Sequence, residues 1–167
     1  MRLVGGISHS LDPGRRYWLH AVHVGFQLVA SAGSFWANLD YRDIVEWTFP
    51  AFLLVLAGPS LFYFNATVLI PDAPATIESW RVHYFAVRRR YWIAICLWAL
   101  VDATIDSALL EVPLVHPGRA VQGFFFVLGV SGVVSANVRV HEILALLVWL
   151  LPLAAIAMAG GPGFSPQ

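Results

Sequence analysis

Five apolar segments follow one another along this chain, and each is long enough to cross a lipid bilayer. They cover residues 17–36, 47–70, 91–110, 120–137 and 142–159. A membrane helix needs about 20 predominantly apolar residues to span roughly 30 Å of hydrocarbon. Because the bilayer core offers no water, the backbone of such a segment must form its own hydrogen bonds, as a helix does. The sequence therefore predicts an all-α fold, an integral membrane bundle of five transmembrane helices.

The composition agrees with a chain that faces lipid. Hydrophobic residues make up 59% of the sequence, charged residues only 12%, and the mean hydropathy is +0.71. Soluble domains carry about 25% charged residues, so a chain this apolar is not expected to be covered by water. The formal net charge is zero, which gives no indication of nucleic-acid binding. The expected partners are the lipid bilayer and either further copies of this chain or another membrane protein.

The arginines predict how the bundle is oriented. The loops on one side of the predicted spans hold only Arg42 and Arg119, and the chain contains no lysine. Cytoplasmic loops carry an excess of basic residues, so the richer side is expected to be cytoplasmic. This side holds Arg2, Arg15, Arg16, Arg81, Arg88, Arg89, Arg90 and Arg139. We expect the run Arg88, Arg89 and Arg90 to contact anionic lipid headgroups and to determine the topology.

This orientation divides the chain into three parts. Residues 1–16 are predicted to be a short cytoplasmic N-terminal segment, and residues 17–159 a single transmembrane helical domain. Residues 160–167 are rich in glycine and proline and are predicted to be a disordered external tail. Arginine-only usage is typical of a high-GC bacterial source, so the predicted location is a bacterial inner membrane with the N-terminus cytoplasmic and the C-terminus external.

Four local patterns together resemble a family of small, uncharacterised bacterial multi-pass inner-membrane proteins. They are the run of residues 40–49, His83-Tyr84-Phe85 followed by Arg88-Arg89-Arg90, the pair Asp102 and Asp106, and Arg139-Val140-His141-Glu142. The resemblance covers about residues 15–159 and implies a fold and a location but no activity. Members of that family carry a further apolar segment before the first of these helices. The number of spans therefore stays open: it is five, or six if the start of the protein is missing from this chain.

Two acidic residues, Asp102 and Asp106, lie inside the third predicted span. An acidic side chain at the bilayer centre costs roughly 2.5–3.5 kcal/mol on insertion scales, so such groups usually face a bundle interior, a partner or water. Their spacing of four residues places both on one helix face. One interpretation is a proton or cation relay, and the other is a hydrogen-bonded structural pair with Gln27, Thr104 or Ser107.

Four histidines map to the cytoplasmic half of the predicted bundle: His20, His23, His83 and His141. Imidazole is a good ligand for haem and for transition metals, so these residues are candidates for a haem or metal site. His83 and His141 are predicted in interfacial segments, however, where histidine often caps a helix or is hydrated. No cofactor is predicted on balance, and a haem-binding membrane redox protein is the weaker alternative.

A second group of acids precedes the second span on the external side. Asp40, Asp43 and Glu46 can supply the carboxylate oxygens that hard cations prefer, which makes them a candidate external cation site. The alternative is a hydrated helix entry, because acidic residues are favourable near a helix N-terminus. In the fourth span, Gly132 and Ala136 are small residues four apart, which favours close helix packing.

No catalytic motif suggests an enzyme. The sequence contains no G-x-S-x-G, no H-E-x-x-H and no P-loop. The leading hypothesis is therefore a structural or accessory membrane component of unknown biochemical activity. The alternative is a small proton- or ion-coupled transporter that uses the intramembrane pair Asp102 and Asp106.

Overall fold

The computed structural model describes residues 12, 14–37, 41–42, 44 and 46–159, and this part of the chain is helical with no strand. A short 3₁₀ turn, Pro74–Thr76, lies between the second and third helices. The five helices are α1 (Trp18–Ala37), α2 (Phe49–Leu69), α3 (Trp80–Ala108), α4 (Pro117–Val134) and α5 (Val138–Ala159). The prediction of an all-α fold is confirmed.

Within the described residues, three stretches are long and apolar enough to cross a membrane: Phe49–Thr76, Trp80–Ala108 and Pro117–Val134. α1 has a suitable length of 20 residues, but His20, His23 and Gln27 lower its hydropathy. In α5 the side chains of residues 155–159 lie outside the described ones. Large apolar side chains are exposed on the outer surface, among them Phe49, Tyr63, Val127, Leu146 and Leu150. An exposed apolar surface of this extent is typical of a protein that faces lipid.

Side-chain caps define where three of the helices begin. Thr48 accepts a hydrogen bond from the backbone nitrogen of Ala51, and Ser79 accepts one from Val82. At the start of α4 the ring of His116 accepts a hydrogen bond from Gly118. The first backbone N–H groups of a helix have no partner within it, so these caps satisfy donors that would otherwise be unpaired.

The start of α3 differs from the sequence prediction. The predicted spans 47–70 and 91–110 leave residues 71–90 as a polar connection, but the helix begins at Trp80 and runs for 29 residues. Trp80 and Tyr84 lie one turn apart and are both fully buried, so packing stabilises this polar-looking turn as helix. At 1.5 Å per residue α3 is about 43 Å long, which exceeds the roughly 30 Å of the hydrocarbon core. Residues 138–141, also predicted as a connection, likewise belong to α5.

α3 packs against both α2 and α4, and α1 packs against α2 and α5. Gly129 and Gly132 of α4 lie against α3, where a Cβ atom on either would overlap Cys96 or the ring of Trp92. The absence of side chains at these two positions therefore lets the helices approach closely, as the small residues of the fourth span predicted for Gly132. The buried core includes Val24, Phe26, Leu69, Tyr91, Trp92, Ile95, Leu144 and Val148.

Candidate functional site

The two aspartates of α3 are joined by one side chain of α4. The Nε2 atom of Gln122 donates hydrogen bonds to Oδ2 of Asp102 at 2.9 Å and to Oδ2 of Asp106 at 2.7 Å. Gln122 is buried, and both aspartates are partly buried. Because a single amide nitrogen reaches both carboxyl groups, the two acids lie on the same face of α3, toward α4.

Arg119, one turn before Gln122, completes what we call the acidic cluster: Asp102, Asp106, Arg119 and Gln122. The Nη1 atom of Arg119 lies 3.9 Å from Oδ2 of Asp106. The guanidinium also donates to Ala103 O at 2.7 Å, Gln122 Oε1 at 3.3 Å, Ser107 Oγ at 2.9 Å and Val112 O at 2.9 Å. The cluster thus contains two carboxyl groups and one permanent cation.

The partners of the aspartates differ from those that the sequence suggested. Gln27 was placed with the acid pair, but its Nε2 donates to the carbonyl of Phe62 at 3.2 Å and it makes no hydrogen bond to either aspartate. Thr104 donates to its own helix at Leu100. Of the expected partners only Ser107 joins the acidic cluster, through Arg119.

Arg119 and Gln122 are indicated as partners of the aspartates by their depth in the predicted membrane. Arg119 and Gln122 are three residues apart at the start of the fourth predicted span. Asp106 lies near the end of the third span, on the same side of the membrane as that start. A buried acid is commonly paired with a basic side chain at a similar depth, so depth alone indicated Arg119 as a partner.

A cavity of about 760 Å³ lies beside the acidic cluster and is lined by residues of all five helices. Asp102 is the only Asp, Glu, Arg or His among its lining residues in the described part of the chain. Pro59 inside α2 and Pro152 inside α5 also line it. Proline removes a helical hydrogen bond and bends the helix, which provides a reason for the space between these helices.

The histidines are brought together at the opposite end of α3 from the acidic cluster. The hydroxyl of Tyr84 lies 3.1 Å from Nε2 of His23 and 2.9 Å from Nδ1 of His141. Nε2 of His141 lies 3.0 Å from the carbonyl oxygen of Ser135, so it carries the proton and Nδ1 accepts from Tyr84. Tyr84 then accepts from His23, and one directed chain of hydrogen bonds crosses from α1 through α3 to α5.

The other two candidate histidines, His20 and His83, cap the end of α2. Nε2 of His20 lies 3.0 Å from the carbonyl oxygen of Leu69, and Nε2 of His83 lies 3.2 Å from the same oxygen. The last four carbonyl groups of a helix have no partner within it. In the same way Nε of Arg88 donates at 3.2 Å to the carbonyl oxygen of Ser135, the residue that follows α4. These side chains therefore satisfy the carbonyl ends of two helices.

Each of the four candidate histidines makes a hydrogen bond to a helix end or to Tyr84. In a neutral imidazole the nitrogen that donates a hydrogen bond has no lone pair for a metal ion, and the other nitrogen keeps one. Among the described residues, Nδ1 of His20 and Nδ1 of His23 have no hydrogen-bond partner. Within the described residues, no group of three or more His, Cys, Asp or Glu side chains is arranged to hold a metal. The candidates His20, His23, His83 and His141 therefore lie in one region but bind helix ends and a tyrosine.

Two predicted sites remain, the candidate external cation site and the arginine run of α3. Asp40 and Asp43 lie outside the described residues, and Glu46 of the same candidate cation site is exposed. Arg89 and Arg90 are exposed on α3, as lipid-facing residues would be, while Arg88 is partly buried through its cap on α4.

No protein-family model, no curated protein and no solved structure matches this chain. The function is therefore inferred from the acidic cluster, the cavity and the helix ends.

Proposed function

We propose that this chain is a five-span protein of a bacterial inner membrane and a member of the multi-pass family that it resembles. The lengths of α1 and α5, 20 and 22 residues, support the two spans beyond the three apolar candidates. The bias of eight arginines against two supports a cytoplasmic N-terminus and an external C-terminus. The lipid bilayer is then its immediate partner, and a homo-oligomer is compatible with its exposed apolar surface.

Within that architecture the function that the geometry supports best is a small proton- or ion-coupled transporter with Asp102 as its exchange site. One observation carries this proposal: Asp102 belongs to a cluster with one carboxyl group more than it has cations, and it lines the cavity. With both acids ionised the cluster has a net charge of −1. An unpaired charge inside a membrane protein is costly because its surroundings have a low dielectric constant. A proton or a bound cation is therefore expected to neutralise it. Alternation between these two states is the elementary step of coupled transport.

The structural or accessory role is a second candidate, and the hydrogen bonds of Arg119 support it. They join α3 at Ala103 and Ser107 to α4 and to Val112 in the following loop. A network of this kind holds two helices and a loop together whether or not anything is transported. In this case Asp102 is a structural acid whose charge has no functional use.

Substitution of Asp102 separates the two candidates. Purified protein is reconstituted into liposomes with a pH-sensitive dye inside, and the decay of a pH gradient is followed after addition of Na⁺, K⁺ or an organic cation. Asp102→Asn should abolish the flux and leave thermal stability nearly unchanged, because an amide resembles the protonated acid but does not titrate. Glu78→Gln changes an exposed acid outside the cavity and should behave as the wild type.

Asp102→Leu adds a test of the structural role. Leucine cannot accept the hydrogen bond of Gln122, so stability should fall by roughly 1–3 kcal/mol. Equal flux from the wild type, Asp102→Asn and empty liposomes would contradict the transporter proposal and leave the structural role.

A further inference from the structure

Four aromatic side chains form a continuous wall of the cavity. The ring centroids of Phe62 and Trp98 are 5.7 Å apart, those of Trp98 and Phe125 are 5.5 Å apart, and those of Phe125 and Phe26 are 5.8 Å apart. All four residues line the cavity. The face of an aromatic ring attracts a cation within about 6 Å of its centroid, and most strongly for tryptophan.

Asp102 is the one acidic side chain among the described residues that line this cavity. Oδ2 of Asp102 accepts the hydrogen bond from Gln122, and no described residue donates to Oδ1. Arg119 makes its ion-pair contact with Asp106, and neither of these two residues is among the described residues that line the cavity. The uncompensated charge of the acidic cluster is therefore located at the wall of the cavity.

These two features select one chemical class of ligand. A hard metal ion is surrounded by about six or more oxygen ligands. The described residues that line this cavity offer one carboxylate, with the hydroxyl groups of Ser34 and Tyr41 beside otherwise largely apolar walls. Its volume of about 760 Å³ is that of a site for a drug-sized molecule. A carboxylate combined with aromatic faces matches a bulky, weakly hydrated organic cation.

We propose that the cavity binds a lipophilic organic cation, a quaternary ammonium or phosphonium with aryl or alkyl groups, with Asp102 as its counter-ion. The inference rests on the proposed function and names its substrate class. Trp98 and Phe125 contact the apolar groups, and Asp102 neutralises the charge. A proton and the organic cation then compete for the same carboxylate.

Equilibrium binding to the full chain in detergent tests the site without any flux measurement. Tetraphenylphosphonium is titrated into the protein by calorimetry, and tetraphenylborate, which has nearly the same shape and the opposite charge, is titrated in parallel. Empty micelles give the partition background for both ions. The cation should bind in a saturable one-to-one manner, at least about tenfold more tightly than the anion. Equal affinity for the two ions would overturn the proposal, and this comparison needs no variant.

Variants then locate the site. Asp102→Asn and Trp98→Leu should each weaken tetraphenylphosphonium binding by about tenfold. Glu78→Gln and Trp18→Leu change an exposed acid and a half-exposed tryptophan outside the cavity, and should leave the affinity unchanged. Wild-type affinity in a folded Asp102→Asn or Trp98→Leu variant would place the ligand elsewhere and overturn the proposal.

The outcomes for binding and for transport are distinguishable. Selective binding without cation-driven proton flux would support the site and contradict coupled transport. Proton flux that depends on Asp102 but is driven only by Na⁺ or K⁺, without organic cation binding, would support transport and contradict this substrate class.

Discussion

The packing of α4 on α3 depends on Gly132, and substitution of this residue gives the sharpest test of the structure. A Cβ atom at Gly132 would overlap three ring atoms of Trp92. That ring is fully buried and packs against His23 and Tyr91, with centroid distances of 5.2 and 5.1 Å. The indole therefore has no free space to move into, and Gly132→Ala must push the two helices apart or distort the ring.

The magnitude follows from two opposing terms. Insertion of a methyl group into a well-packed core costs typically about 1–3 kcal/mol. Replacement of glycine by alanine within a helix contributes up to about 1 kcal/mol in the opposite direction. Gly123 lies in the same helix, and a Cβ atom there has nothing within 4 Å. Since the helix term is common to both substitutions, the difference between Gly132→Ala and Gly123→Ala should be the packing term alone, about 1–3 kcal/mol.

Unfolding of the purified variants in one detergent, followed by circular dichroism or tryptophan fluorescence, measures this difference. Gly123→Ala should be as stable as the wild type or slightly more stable, and Gly132→Ala should be less stable than both. If the two variants have equal stability, or if Gly132→Ala stabilises the protein, the close contact between Gly132 and Trp92 is wrong.

Three further predictions concern hydrogen bonds and topology. Tyr84→Phe removes the buried hydroxyl that joins two histidines and should lower the free energy of unfolding by roughly 1–3 kcal/mol. Tyr63→Phe, at an exposed ring, should change it little, and equal losses in the two variants would contradict the hydrogen-bond chain. Arg119→Gln should destabilise the protein by about 3–5 kcal/mol because it leaves the partly buried Asp106 without its cation. Arg89→Gln at an exposed position is the control, and similar stability of the two variants would refute the acidic cluster. A C-terminal alkaline phosphatase fusion should be active and a C-terminal GFP fusion dark, and a bright GFP fusion would reverse the proposed topology.

The sequence alone was sufficient for the properties that depend on local composition and spacing. All five predicted apolar segments correspond to helices, with α1 at Trp18–Ala37 and α2 at Phe49–Leu69 within two residues of the expected limits. The common face of Asp102 and Asp106 follows from helical periodicity and needs no knowledge of other helices. These properties are readable because each is determined by residues that are neighbours along the chain.

The beginning of α3 could not be read in the same way. Residues 80–90 contain four arginines and one histidine, so their hydropathy indicates a connection between spans. Trp80 and Tyr84 are nevertheless fully buried, with contacts to His20 and His23 of α1, and this burial stabilises the helix. The energy that decided the structure here comes from contacts with residues about 60 positions away, such as His20 and His23.

Only the tertiary structure could decide the partners of the acid pair and the existence of the cavity. Gln122 lies 20 residues from Asp102 along the chain, and its selection over Gln27 depends on how α4 is rotated against α3. Gly129 and Gly132 allow that rotation, because a Cβ atom at either position would overlap Cys96 or Trp92 of α3. The cavity draws its lining from all five helices, so no single segment contains a pattern for it. Apolar residues that face lipid and apolar residues that face a cavity have the same local pattern, because both surfaces are favourable to the same side chains, and only the packing of the helices separates them.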